Sequence, residues 1–246
     1  MKKLFYYELR RVLCHWMFPS MLVVNGLYAW YILTGDIIRG VADTAPFSVW
    51  SYCAYLGKTM PVAVITILLV LSGYYSKKQK QVEILTLAAP VTGAQHLLIR
   101  SGVLAVCFLM DAAVIVGVAA FFYKSFFAYD SYAGYVLPCL LLMLPCFFVA
   151  VGAGHLFAGL HQGLCYVLMG ILFASGISAP DGVWDLFGAG YFETYPLTLT
   201  PGRSGEPGFF LSRQPAWIAA RAIYLVLGLL LLLWKVRRMN RKLTKA

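Results

Sequence analysis

Residues 135–158 read YVLPCLLLMLPCFFVAVGAGHLFA and contain no Asp, Glu, Lys or Arg. An α-helix crossing a bilayer core about 30 Å thick needs roughly 17–25 mostly apolar residues. This stretch has that length and that chemistry, so it predicts a membrane span. The rest of the chain agrees: 61% of its 246 residues are apolar and only 12% are charged, where soluble domains average about 45–50% apolar. A soluble fold of this size lacks the interior to hide so much apolar surface. The expected class is an all-α integral membrane protein.

Working outward from 135–158, five more stretches have the same character, at about 16–35, 52–75, 101–123, 164–180 and 215–234. Six spans put both termini on one side of the membrane. The first lacks a small-residue cleavage site and is bracketed by Trp16 and by Trp30 with Tyr31, which marks an anchored helix and not a removed signal peptide. The basic residues set the orientation. The N-terminal segment, the 76–100 loop and the C-terminal tail hold fourteen of the 20 Lys and Arg residues, against only Glu8 and Glu83 as acids. These segments are expected in the cytoplasm of a multi-pass cell-membrane protein, with anionic lipid headgroups as their counter-charge. Nucleic acid is not an expected partner, because the basic residues are divided among three juxtamembrane segments.

Residues 2–15 form a short element ahead of the first span. Phe5, Leu9, Val12, Leu13 and Trp16 fall within about 100° of one another on a helical wheel, while Lys3, Arg10 and Arg11 lie elsewhere. That pattern predicts an amphipathic helix along the inner headgroup layer. On the outer side, residues 181–212 carry Trp184, Phe187, Tyr191, Phe192, Tyr195, Phe209 and Phe210, too many aromatics for a plain aqueous loop. Residues 181–195 are expected to dip into, or lie on, the outer leaflet under the protection of neighbouring helices.

Two ionisable residues sit deep in spans. Asp111 is about 15 Å into the third, near the midplane, where an acid is costly unless paired, protonated or wetted. Arg221, in the last span, is the one base at comparable depth, and the two are candidates for an interhelical pair or for a polar feature of a translocation path. Recurrent small residues (Ala150, Gly154 and Ala158, then Gly159 and Gly163) predict close helix packing.

Enzymatic strings are missing. Gly57-Lys58-Thr59 ends like a phosphate-binding loop, but Tyr52 stands where its first glycine belongs. The four histidines show no metalloprotease spacing and there is no GxSxG. The six cysteines form no CxxC and read as packed, reduced thiols. No metal, cofactor, catalytic residue or ATP site of its own is expected.

The segment between the second and third spans is SKKQKQVEILTLAAPVTGAQHLLIR, residues 76–100. A basic run leads into a helix-like piece around Glu83, turns at Pro90, and a second helical piece from about Thr92, a possible N-cap, feeds the third span. It reads as a platform for a cytosolic protein. With the lead-in helix, six spans and the aromatic outer segment, this arrangement resembles the permease subunit of ABC-2 type (type V exporter fold) transporters over essentially the whole chain. The resemblance implies one transmembrane permease domain, 1–246, with an elbow helix (Phe5, Leu9, Arg10, Arg11, Leu13). It also implies an ATPase-coupling segment (Glu83, Ile84, Leu85, Pro90, Val91, Thr92) and an outer re-entrant segment (Trp184, Phe187, Tyr191, Tyr195) before the sixth helix. Its implied partners are a separate ATP-binding-cassette ATPase and a second permease, identical or similar; its implied activity is export of a hydrophobic or amphipathic compound. Two other classes stay open: an ion- or proton-coupled secondary transporter using Asp111, and a noncatalytic membrane scaffold.

Overall fold

The chain is built around its second long helix. The computed structural model describes residues 2–41, 44–76, 93–178, 182–194 and 215–243, and every regular element among them is helical. In chain order these are α1 (Lys2–Leu13), α2 (Met17–Gly35), α3 (Val49–Tyr74), α4 (Gly93–Phe127), α5 (Val136–Leu160), α6 (Gln162–Ser178), α7 (Ala189–Thr194) and α8 (Pro215–Leu243), with short 3-10 turns at Ile37–Arg39 and Ala133–Tyr135. Ser48 starts α3 by accepting a hydrogen bond from the Ser51 N–H at 3.0 Å, satisfying one of the donors that a helix start leaves open.

Among the described residues, five helical stretches are long and apolar enough to cross a membrane: Met17–Arg39, Val49–Tyr74, Gly93–Phe127, Ala133–Leu160 and Pro215–Met239. The remaining expected span, 164–180, is the apolar helix α6, whose 17 residues give about 26 Å at 1.5 Å per residue, short of a core about 30 Å thick. The third span is longer than its apolar run suggested. It is a single 35-residue helix of about 52 Å, so it projects past the hydrocarbon, and its first turns belong to the same end of the bundle as α1.

α3 packs against α2, α4, α5, α6 and α7, α1 lies on α4, and α5 pairs most extensively with α8. The enclosure of α3 is near complete, with 83% of its most apolar window buried against 22% for α8. At the α5–α8 crossing backbone lies directly against backbone. A Cβ on Gly228 would lie 2.4 Å from the Phe148 carbonyl carbon, and one on Gly152 would lie 2.5 Å from the Gly228 carbonyl oxygen. Two facing glycines thus bring the two backbones into direct contact, where dispersion rather than hydrophobic expulsion holds membrane helices together.

Candidate functional site

Among the described residues, three of the polar clusters within this apolar bundle involve buried ionisable groups. The first, at the α1 end, grows out of an acid hidden among bases. α1 turns Phe5, Leu9 and Leu13 toward the core and leaves Lys2, Lys3, Tyr6, Tyr7 and Arg10 exposed. The apolar stripe expected to face lipid is therefore seated on protein, with Phe5 against Gly102 of α4. Trp16, placed on that stripe from sequence, lies beyond the helix end and is 76% exposed.

Glu8 shares the seated face and is buried. Arg11 Nη2 approaches its Oε2 at 2.8 Å and His96 Nε2 its Oε1 at 3.7 Å. Tyr74, the last residue of α3, lies between two guanidinium groups, Arg11 at 5.4 Å and Arg100 at 5.1 Å from its ring centre. One turn away, His155 of α5 pairs through Nδ1 with the Tyr75 hydroxyl at 2.9 Å and through Nε2 with the Ser101 hydroxyl at 3.2 Å. α1, the end of α3, the first turns of α4 and α5 are thereby joined at the end of the bundle from which α3 leads into, and α4 leads out of, segment 77–92. The expected coupling residues Glu83, Ile84, Leu85, Pro90, Val91 and Thr92 lie outside the described residues.

Burial pushes the Glu8 carboxyl up, but the His96 hydrogen bond and the Arg11 and Arg100 charges outweigh it and hold the group below its ordinary value. A carboxyl depressed on folding stabilises the docked state at pH above its unfolded value, about 4.3, and loses that contribution as pH falls through the folded value. Hydrogen exchange checks this. Amides of α1 in Glu8→Gln are expected to exchange about tenfold faster than wild type at neutral pH, in keeping with about 1.5 kcal/mol for a charged hydrogen bond, and the difference closes on acidification. Equal exchange at neutral pH means that Glu8 does not hold α1.

The second cluster is near mid-membrane. Asn25 of α2 donates through Nδ2 to Thr66 Oγ1 of α3 and to Asp111 Oδ1 of α4, each at 2.8 Å. Asn25 lies eight residues from the start of α2 and Thr66 eight from the end of α3, about 12 Å in from the same end, which matches the depth read for Asp111. Asp111 is fully buried, and its Oδ2 has no hydrogen-bond partner.

The expected pairing of Asp111 with Arg221 is not formed. Arg221 serves the third cluster, at the end of the bundle opposite α1: its guanidinium donates to the carbonyls of Asp185 and Leu186 and lies 4.7 Å from the Trp217 ring centre. Depth along the helix axis was the basis for pairing them, but contact also requires the two helices to face each other, and Asp111 turns to α2 and α3.

Residues 182–194 pack onto the start of α3 at that end. Asp185 accepts from the Phe187 N–H at 3.0 Å and the Gly190 N–H at 3.3 Å, which shapes the turn into α7. The Trp50 indole N–H donates to the Phe192 carbonyl at 2.5 Å. Lys58 bridges Asp36 and Glu193, both at 2.7 Å. A Cβ on Gly57 would come within 2.7 Å of the Ala189 nitrogen, so this glycine admits the outer segment onto α3. The Gly57-Lys58-Thr59 string has a packing and tethering role here. Of the aromatics expected in the segment, Phe187 and Tyr191 are buried, Trp184 is 62% exposed, and Tyr195 lies outside the described residues.

Asn25, Thr66, Asp185 and the burial of Glu8 were not singled out by sequence; the legible signal was polar residues within apolar runs, which a census of charges passes over. Compared with known proteins, the chain matches no family model, no curated protein and no solved structure.

Proposed function

We propose that this chain is the membrane-spanning half of an ATP-driven exporter of the ABC-2 type, working with a separate cytosolic ATPase and a second permease. In this reading α6 is the fifth span and α8 the sixth, α1 is the elbow helix, residues 182–194 are the outer re-entrant element between them, and both termini are cytoplasmic. The observation that carries it is the buried Glu8 cluster, which ties α1 to Tyr74 at the end of α3 and to His96 near the start of α4, the two helices that lead into and out of segment 77–92. A push delivered to that segment by an ATPase would reach α1, α3, α4 and α5 together. Such a joint is what converts a local displacement into a change of helix packing. The ATPase supplies the bias between inward- and outward-open states, since a cargo shifts the equilibrium only by its differential affinity.

Glu83→Lys inverts the one acid of the basic inner loop. The variant is expected to insert normally, to lose at least about tenfold in recovery of the ATPase with the tagged chain, and to stop ATP-dependent export. Unchanged ATPase recovery together with unchanged export overturns the assignment. A second reading, proton- or ion-coupled transport, is favoured by the unpartnered Oδ2 of Asp111. It requires transport driven by an ion gradient with no ATPase present, abolished in Asp111→Asn; the exporter reading expects Asp111→Asn to keep partial, ATPase-dependent transport.

A further inference from the structure

An apolar groove of about 850 Å³ opens on the outside of the bundle, lined by Leu156 of α5 and by Ile223, Val226, Leu227, Leu230 and Trp234 among the α8 residues. That volume lies within the range of about 300–1,000 Å³ typical of small-molecule sites. From Ala222 to Trp234 the groove runs about 18 Å along α8, slightly more than the roughly 15 Å of hydrocarbon in one leaflet. Its floor and walls offer no charge. At one end Trp234 carries the Arg238 guanidinium 5.5 Å from its ring centre, and both Arg237 and Arg238 are exposed. Lys235 turns back onto α5 beside Gly159. Residues 215–243 contain no Asp or Glu, so nothing on α8 neutralises this end.

We propose that the groove is a binding site for one anionic glycerophospholipid, with an acyl chain lying along α8 from Trp234 toward Ala222 and the phosphate against Arg237 and Arg238. An apolar trough the depth of one leaflet, closed by an interfacial tryptophan and two cations, complements that ligand along its whole length. A second copy of the chain fits less well. In a two-fold interface the same patch meets itself, which would set Arg237 and Arg238 of one copy against those of the other with no acid between. The site does not depend on the protein being an exporter.

The full chain, purified in detergent and mixed with equal amounts of phosphatidylglycerol and phosphatidylcholine, is weighed intact by mass spectrometry. One phosphatidylglycerol per chain is expected, at least about tenfold over phosphatidylcholine. Each arginine near a headgroup contributes about fivefold, so Arg237→Gln with Arg238→Gln is expected to remove the preference, whereas Arg237→Lys with Arg238→Lys retains it. Val226→Trp, filling the groove, is expected to remove both lipids while the protein stays monodisperse. Equal retention of the two lipids, no retained lipid, or a preference that survives the double Gln change overturns the proposal. So does a lipid-free dimer that Val226→Trp dissociates.

Discussion

Gly228→Ala is expected to abolish recovery of folded protein, although it adds one methyl group to a lipid-facing helix. The new Cβ would stand 2.4–2.6 Å from the carbonyl carbon and oxygen of Phe148 and the nitrogen of Val149. All three are backbone, so no rotamer change relieves the overlap, and α5 and α8 must separate along the largest helix–helix contact of the bundle. Overpacking against side chains costs about 1–3 kcal/mol, and overlap with backbone exceeds that range. Gly117→Ala is the control: nothing lies within 4 Å of its Cβ position, and the change is expected to be neutral or stabilising by up to about 1 kcal/mol through helix propensity. Size-exclusion chromatography of detergent-extracted protein distinguishes them. A Gly228→Ala peak of wild-type height and melting temperature refutes the backbone contact.

The second large effect is expected at Asn25. In Asn25→Leu, Asp111 loses the donor on Oδ1 while its Oδ2 already lacks one, leaving a carboxyl without any partner in the bundle interior. The expected loss is about 3 kcal/mol, the order found for an acid at the centre of a membrane helix. Adding Asp111→Leu is expected to restore most of it, because removing both partners is far less costly than stranding one. Thermal unfolding of the two single variants and the double variant in one detergent forms the cycle. Additive losses mean that the two side chains do not interact energetically.

These two sites show what the sequence made legible. The helical, apolar character of the chain came through because composition alone decides whether a segment can lie in lipid; of the six expected spans five are helices long enough to cross, and the shortness of 164–180 was already visible as a span at the lower limit. α4 exceeds 101–123 at both ends, because the helical piece expected from about Thr92 runs without a break into the span and the helix continues past Tyr123 to Phe127. Asp111 was recognised and its partner was not. A charge census pointed to Arg221, whereas the group that meets Asp111 is the neutral Asn25 on a helix 86 positions away in sequence. Likewise Gly159 and Gly163 stand out by their spacing, while the backbone-to-backbone contact of α5 with α8 joins Gly152 to Gly228, two glycines that no local pattern links. Glu8 was visible as a lone acid among bases, but its burial follows from α1 turning toward α4, and periodicity does not say what an amphipathic face will meet.

The near-complete enclosure of α3 bears on how the protein is made. Its neighbours α5, α6 and α7 are encoded downstream, so from Tyr74 to Thr194 the ribosome adds 120 residues before the last of them exists. At about 5–20 residues per second that delay is on the order of ten seconds. Throughout it, the Trp50 indole N–H lacks the Phe192 carbonyl and Lys58 lacks Glu193, the partners they meet in the finished bundle, and the Tyr52 hydroxyl lacks Cys139 until α5 follows. A nascent chain cut off before α5 therefore displays a polar, aromatic helix that belongs inside, and this gives membrane proteases a physical mark by which to recognise an unfinished copy.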